Sequence, residues 1–130
     1  MSEVRGRHRI SKTFRFDAAH LLTGLEPGHQ CARMHGHSYE VTFVLTAEEL
    51  DGPGFVTDFG ELTPVKAYID AELDHRVLNE VLPLVPTSEN LAEHLAGWFV
   101  EHVEPGIHGV LAAVRVSETP TSMAEFEVIR

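Results

Sequence analysis

A single cysteine, Cys31, leaves this 130-residue chain without the means to form an internal disulfide. Disulfide frameworks belong to oxidising compartments, so the lone thiol argues for a reducing one. Long apolar runs are missing too, and none approaches the roughly 20 residues that a membrane-spanning helix requires. The stretch from Met1 to Ser11 is polar and basic and lacks the apolar segment of a secretory signal. These absences lead to the expectation of a soluble, cytoplasmic protein with no membrane partner. Basic charge is scarce: ten Lys and Arg stand against twenty Asp and Glu, a formal charge of −10. That excludes nucleic acid as the main partner, which usually needs a basic stripe. An anionic small molecule met by a few local cations remains open, with Lys12, Arg15 and Arg33 as candidates. Repeats, low-complexity tracts and Pro/Gly/Ser linkers are also lacking, so residues 1–130 read as one domain. At 43% hydrophobic, the chain can bury one sizeable core.

Histidine is plentiful, with nine residues. His8, His29, His94, His102 and His108 have no partner evident in sequence and read as ordinary surface residues. The others fall into a pattern. Residues 10–20 alternate, with Ile10, Lys12, Phe14, Phe16, Ala18 and His20 on one mostly apolar face, which predicts a strand. Residues 21–34 contain Gly24, Pro27 and Gly28, show no period and form a long connection carrying Cys31. Residues 35–46 alternate again, with His35, His37, Tyr39, Val41, Phe43 and Leu45 together. Two histidines at i and i+2 diverge on a helix but leave the same face of a strand. If the two strands pair antiparallel, the end of the first meets the start of the second, and His20, His35 and His37 converge on the inward face.

Asp51-Gly52-Pro53-Gly54 predicts a turn, followed by a short strand at 55–57. Asp58 with Glu61 fits a capping box for a helix over about 60–72, with Leu62, Val65, Ile69 and Leu73 inward. A start capped by Thr63, with Pro64 in the first turn, fits equally well. Thr87 or Ser88 caps a second helix that buries Leu91, Leu95, Trp98 and Phe99 and ends at Pro105-Gly106. Residues 110–118 predict a strand with Val110, Ala112, Val114 and Val116 inward and Glu118 continuing that face. Residues 123–129 predict a last strand. The order ββ(β)ααββ describes an α+β domain, an antiparallel sheet with two helices on one face.

Three neutral imidazoles suit zinc and leave a fourth position open, the catalytic arrangement. Cys31 has three readings: a small buried hydrophobe, a fourth ligand that closes the site, or a base or nucleophile beside the metal. Asp74-His75 reads as a helix-end pair, or as an orienting carboxylate with a proton-transfer imidazole. Glu118 reads as a partly exposed strand end, or as a carboxylate that takes two N–H bonds from a flat guanidine-like edge.

Taken together these residues resemble the 6-pyruvoyl-tetrahydropterin synthase / 6-carboxytetrahydropterin synthase family. The resemblance runs through Phe16-Asp17-Ala18-Ala19-His20, Cys31-Ala32-Arg33-Met34-His35-Gly36-His37, Asp58-Phe59, Leu73-Asp74-His75, Pro86-Thr87-Ser88-Glu89-Asn90 and Glu118-Thr119-Pro120. It implies a tunnelling fold, in which subunits join their antiparallel strands into a trimeric β-barrel and two trimers stack as a homo-hexamer with sites at subunit interfaces. It implies zinc on His20, His35 and His37, and Cys31 as proton acceptor with His75 as relay partner, supported by Asp74. It also implies Glu118 as pterin anchor, with Thr87 and Ser88 near the ring, and 7,8-dihydroneopterin triphosphate as substrate. Phe55 and Ser38 depart from the residues usual in that family, Met and Asn.

The expected activity is that of a zinc-dependent lyase, a 6-carboxy-5,6,7,8-tetrahydropterin synthase serving 7-deazaguanine and queuosine synthesis. The short, single-cysteine chain resembles bacterial members of that type, and a 6-pyruvoyl product is the alternative. A noncatalytic metal-binding barrel of cupin type is a rival from another class, suggested by His35, His37 and Glu40. Glu40 has the opposite strand parity, and the glycine pattern of that class is absent. A structural zinc site closed by Cys31 is a second rival.

Overall fold

The computed structural model describes residues 4–130, so the first three residues of the polar N-terminal stretch lie outside the described part. Five strands and three helices follow in chain order: β1 (His8–His20), β2 (His35–Ala47), α1 (Thr63–Glu72), β3 (Arg76–Val77), α2 (Leu78–Val81), α3 (Ser88–His102), β4 (Val110–Thr119) and β5 (Ser122–Glu127). The sheet order is β3-β1-β2-β4-β5. Among the described residues no helix is long and apolar enough to cross a membrane.

The two alternating stretches pair as an antiparallel hairpin in one unbroken register, from His8 opposite Ala47 to His20 opposite His35. Phe14, Phe16 and Ala18 of β1 and Tyr39, Val41, Phe43 and Leu45 of β2 are buried. Val65 and Ile69 of α1 and Leu91, Leu95 and Phe99 of α3 cover them and complete one core. A fully buried aliphatic or aromatic side chain contributes about 1.5–3 kcal/mol of transfer free energy. Phe43 and Phe99 stack with ring centroids 5.3 Å apart and tie α3 to β2. The opposite face of the sheet is largely polar, apart from the buried pair Val44 and Ala113. Cross-strand pairs stand on it: Thr13 with Thr42, Arg15 with Glu40, and Arg115 with Glu125.

Several expectations change. No strand forms at 55–57. Gly52 and Gly54, at φ +54° and +124°, fold the chain back so that Asp51 and Phe55 make one isolated bridge. Asp58 caps a 3-10 turn over Phe59–Leu62, its carboxylate accepting the Gly60 N–H at 2.9 Å. That turn runs directly into α1, whose start has no side-chain cap and carries Pro64 in its first turn. On β4 the predicted parity fails at one end. Ala112 is an extra residue between Leu111, opposite Leu45, and Ala113, opposite Val44. This bulge turns Leu111 fully into the core and leaves Val110 and Ala112 half-buried. Beyond it the parity is as expected, and Glu118 keeps its place. The sheet is not wholly antiparallel: β3, with only two residues, pairs parallel to β1 through Ala18–Arg76 and Ala19–Val77. So short a segment carries no readable alternation.

Candidate active site and metal centre

The hairpin register places His20 directly opposite His35, and His37 opposite Ala18. All three rings leave the core-facing side. Their centroids lie 4.5, 5.0 and 4.8 Å apart, and each pair is tilted by 70–89°. Their ligand nitrogens all fall within 4.8 Å of one another, a group that could hold a metal ion. His20 is fully buried. The strand end that carries it is fixed by α2, where the Asn79 amide pairs with both backbone groups of Leu21, at 2.9 and 2.7 Å.

The partners of these rings fix their tautomers. A carbonyl only accepts, so the nitrogen facing it carries the hydrogen. His20 Nδ1–H donates to the Pro86 carbonyl at 2.8 Å, and His35 Nδ1–H donates to the Arg33 carbonyl at 2.7 Å. Both Nε2 atoms therefore present lone pairs, and these face each other across 2.9 Å. The spacing is near the roughly 3.3 Å edge of a tetrahedron of nitrogens around zinc. Two acceptors cannot bond each other without a cation between them. The buried His37 Nε2 has no hydrogen-bond partner. A proton serves two of these three atoms, whereas a metal ion serves all three. Burial is the largest influence on His37 and pushes its imidazole below the usual range. Glu118 pulls the other way, and His20 and His35 add to the push. A neutral ring is the form that ligates. Carbonyl-locked imidazoles are the outer support that metal sites use. The residues fit the ion.

Glu118 stands beside this group, its Oε2 3.5 Å from His37 Nε2. Its Oε1 accepts the Ser88 hydroxyl at 2.8 Å. Ser88 is the first residue of α3, and the Thr87 hydroxyl is occupied in capping that helix by accepting the Asn90 N–H. Tyr39, by sequence an apolar position of β2, is also a member of this wall. It is fully buried, with its hydroxyl oxygen 3.1 Å from His20 Nδ1. Burial first, and then Glu118, drive its phenol strongly upward, so it stays protonated. Its shared parity with His35 and His37 was the available signal.

Asp74 and His75 form a second, separate cluster. Asp74 Oδ2 lies 2.9 Å from His75 Nδ1, and its Oδ1 accepts the Asp17 N–H at 3.0 Å. The Asp17 N–H, and next the His75 side chain, hold the Asp74 carboxyl below its ordinary range. Asp17, Asp74 and His75 gather within 4.8 Å. Asp17 and Ser38 are paired across β1 and β2 and bonded on the polar face, opposite the three imidazoles. An open groove of about 710 Å³ there is lined in part by Asp74, His75, Ser38 and Thr119. Cys31 joins neither group. It is partly buried in a 3-10 turn whose cap is the ring of His29, which accepts the Cys31 N–H at 3.0 Å. His29 thus shapes the thiol's loop, a role without a sequence pattern. Of the three candidate cations for an anionic substrate, Arg15 is engaged by Glu40 at 3.0 Å, and Lys12 and Arg33 are exposed. The same ion pair places Glu40 on the polar face, away from the imidazoles.

A 6-carboxy-5,6,7,8-tetrahydropterin synthase of Synechocystis sp. is 38% identical over 128 residues, covering 90% of this chain and 91% of that protein. A dihydroneopterin monophosphate aldolase of Pyrococcus furiosus is 33% identical, over 84% of this chain and 86% of that protein. The 6-pyruvoyl tetrahydropterin synthase structure of Caenorhabditis elegans superposes with a TM-score of 0.81 over 95% of this chain and 97% of that one. At 24% identity that likeness speaks for the fold, the tunnelling-fold arrangement of sheet and helices. Residues 9–128 match the sequence profile of 6-pyruvoyl tetrahydropterin synthase, and the chain belongs to that enzyme family.

Proposed function

We propose that the protein is a zinc-dependent 6-carboxy-5,6,7,8-tetrahydropterin synthase. It acts on 7,8-dihydroneopterin triphosphate, in the formation of 7-deazaguanine and queuosine. The observation that carries zinc is the set of three converging imidazole nitrogens, two with carbonyl-fixed lone pairs and one orphaned. The similarity to the Synechocystis 6-carboxy enzyme supports the choice of product.

His20, His35 and His37 would hold the ion. When bound, it supplies Lewis acidity that polarises the substrate's side-chain oxygens and acidifies the adjacent C–H. Cys31 accepts that proton, and His75 relays protons with Asp74 orienting its ring. Glu118 takes the pterin's N–H edge, with Ser88 setting the rotamer of the carboxylate. Thr87 serves the site by capping α3. Because the imidazoles and the Asp74–His75 pair open on opposite faces of the sheet, one copy does not gather all the groups around one substrate. The proposed enzyme is therefore a homo-hexamer of two trimeric barrels, in which the pair of one copy meets the thiol of another.

Incubation with 7,8-dihydroneopterin triphosphate tests this. Acetaldehyde with a 6-carboxytetrahydropterin is expected, and a 6-pyruvoyl product would sink the assignment. Turnover of dihydroneopterin monophosphate in preference to the triphosphate would move the chain to the reaction named for the Pyrococcus furiosus relative. Mixing inactive Cys31→Ala and His75→Ala proteins should restore activity through hybrid oligomers.

A further inference from the structure

We infer that His29 is the positioning residue for Cys31, its ring fixing the direction in which the thiol leaves the chain. The inference rests on the functional reading above, because Cys31 is the proton acceptor there.

Residues 21–34 join β1 to β2 with no regular structure except the 3-10 turn Gln30–Ala32. Two turns set back to back keep this connection from wandering, and His29 is the joint between them. Pro27 and Gly28 are the central residues of the first turn. Proline presets its own φ and Gly28 stands at +90°, the combination that a type II turn requires. The His29 N–H closes that turn on the Glu26 carbonyl at 3.1 Å, and the His29 carbonyl opens the second by accepting the Ala32 N–H at 2.9 Å. The backbone of His29 is extended, at φ −63° and ψ 132°, as a capping residue needs. Its ring then makes a third bond, Nδ1 accepting the Cys31 N–H at 3.0 Å. A ring nitrogen that accepts carries a lone pair, so the hydrogen of the neutral imidazole is on Nε2.

Both backbone groups of Cys31 are thereby held. Its N–H is on the His29 ring, and its carbonyl accepts the Leu22 N–H at 3.0 Å. Leu22 is itself well placed, since the Asn79 amide clamps Leu21 beside the metal ligand His20. With residue 31 tied at both ends, its Cα–Cβ bond has one direction and the thiol keeps only a few staggered rotamers. Of these two ties, the His29 ring is the one made by a side chain, so a substitution removes it. The same turn ends at Arg33, whose carbonyl accepts the His35 Nδ1–H at 2.7 Å. One short segment thus sets both the thiol and the tautomer of a metal ligand.

The test uses His29→Ala and His29→Asn in the full-length protein, at an exposed position that the fold should tolerate. An asparagine in the capping position accepts the same N–H through its side-chain oxygen. Expected for His29→Ala is a fall in kcat of about tenfold or more, since small misplacements of a reacting group carry such losses. KM should hold, and His29→Asn should recover most of the rate. Hydrogen exchange of the Cys31 amide should speed up about fivefold in His29→Ala, the scale of one lost cap, and stay near the parent's rate in His29→Asn. Cys31 is the single cysteine, so alkylation by iodoacetamide reads this thiol alone; it should be faster in His29→Ala only. Unchanged amide exchange in His29→Ala, or a His29→Asn protein as slow in turnover as His29→Ala, overturns the inference. Absence of turnover in the parent protein would instead overturn the functional reading, and the exchange and alkylation rates would still decide whether His29 holds the thiol's turn.

Discussion

Zinc should raise the unfolding temperature of the metal-free protein by about 10 °C when free metal is near a hundred times its dissociation constant. An ion bound only by the folded state adds about 2.7 kcal/mol at that excess. Unfolding entropy near 2.1 cal/mol/K per residue comes to about 0.27 kcal/mol/K for this chain, and the quotient is about 10 °C. The structure says why the folded state binds alone. The Nε2 atoms of His20 and His35 meet at 2.9 Å because residues fifteen apart are paired across a hairpin, and unfolding separates them. The assay is differential scanning fluorimetry on chelator-treated protein with and without zinc. His35→Ala removes one ligand at a half-exposed position where the fold should survive, and His20→Ala removes the buried one. Each should lose most of the zinc-dependent shift, whatever its own baseline. An absent shift in the parent protein, or a shift in both variants as large as the parent's, refutes the three-imidazole site.

Cys31→Ala should retain zinc and stability and lose turnover, as metal analysis beside an activity assay would show; loss of zinc would revive the closed structural site. Thr87→Ala removes the hydroxyl that caps α3 and should lower stability by about 1 kcal/mol, read from the urea midpoint. Burial holds His94 below its ordinary 6.5, so the folded protein binds that proton less readily than the unfolded chain. Its contribution is fully present above 6.5 and is lost as pH falls through 6.5 toward the lower folded value. His94→Gln should flatten the stability profile between about pH 7 and pH 5, measured by chemical denaturation.

The sequence by itself determined the two hairpin strands, the two long helices and the convergence of His20, His35 and His37. The reason is periodicity: an alternating strand assigns each side chain to a face, and antiparallel pairing assigns the ends to each other. Glu118 was legible for the same reason, although the Ala112 bulge moved Leu111 inward at the far end of its strand. The strand expected at 55–57 does not form, because a two-glycine reversal outranks a short β-prone segment. The two residues of β3 and the single turn of α2 lie below any readable period. Only the tertiary structure decided the carbonyls that lock two imidazoles, the orphaned nitrogen of the third, and the separation of the Asp74–His75 pair from the metal group. It also decided the two hydrogen bonds that the Asp17 main chain makes to that pair. Apart from the local contact of His35 with Arg33, these rest on contacts between residues dozens of positions apart, such as Asp17 with His75 and His20 with Pro86, whose partners are set by packing.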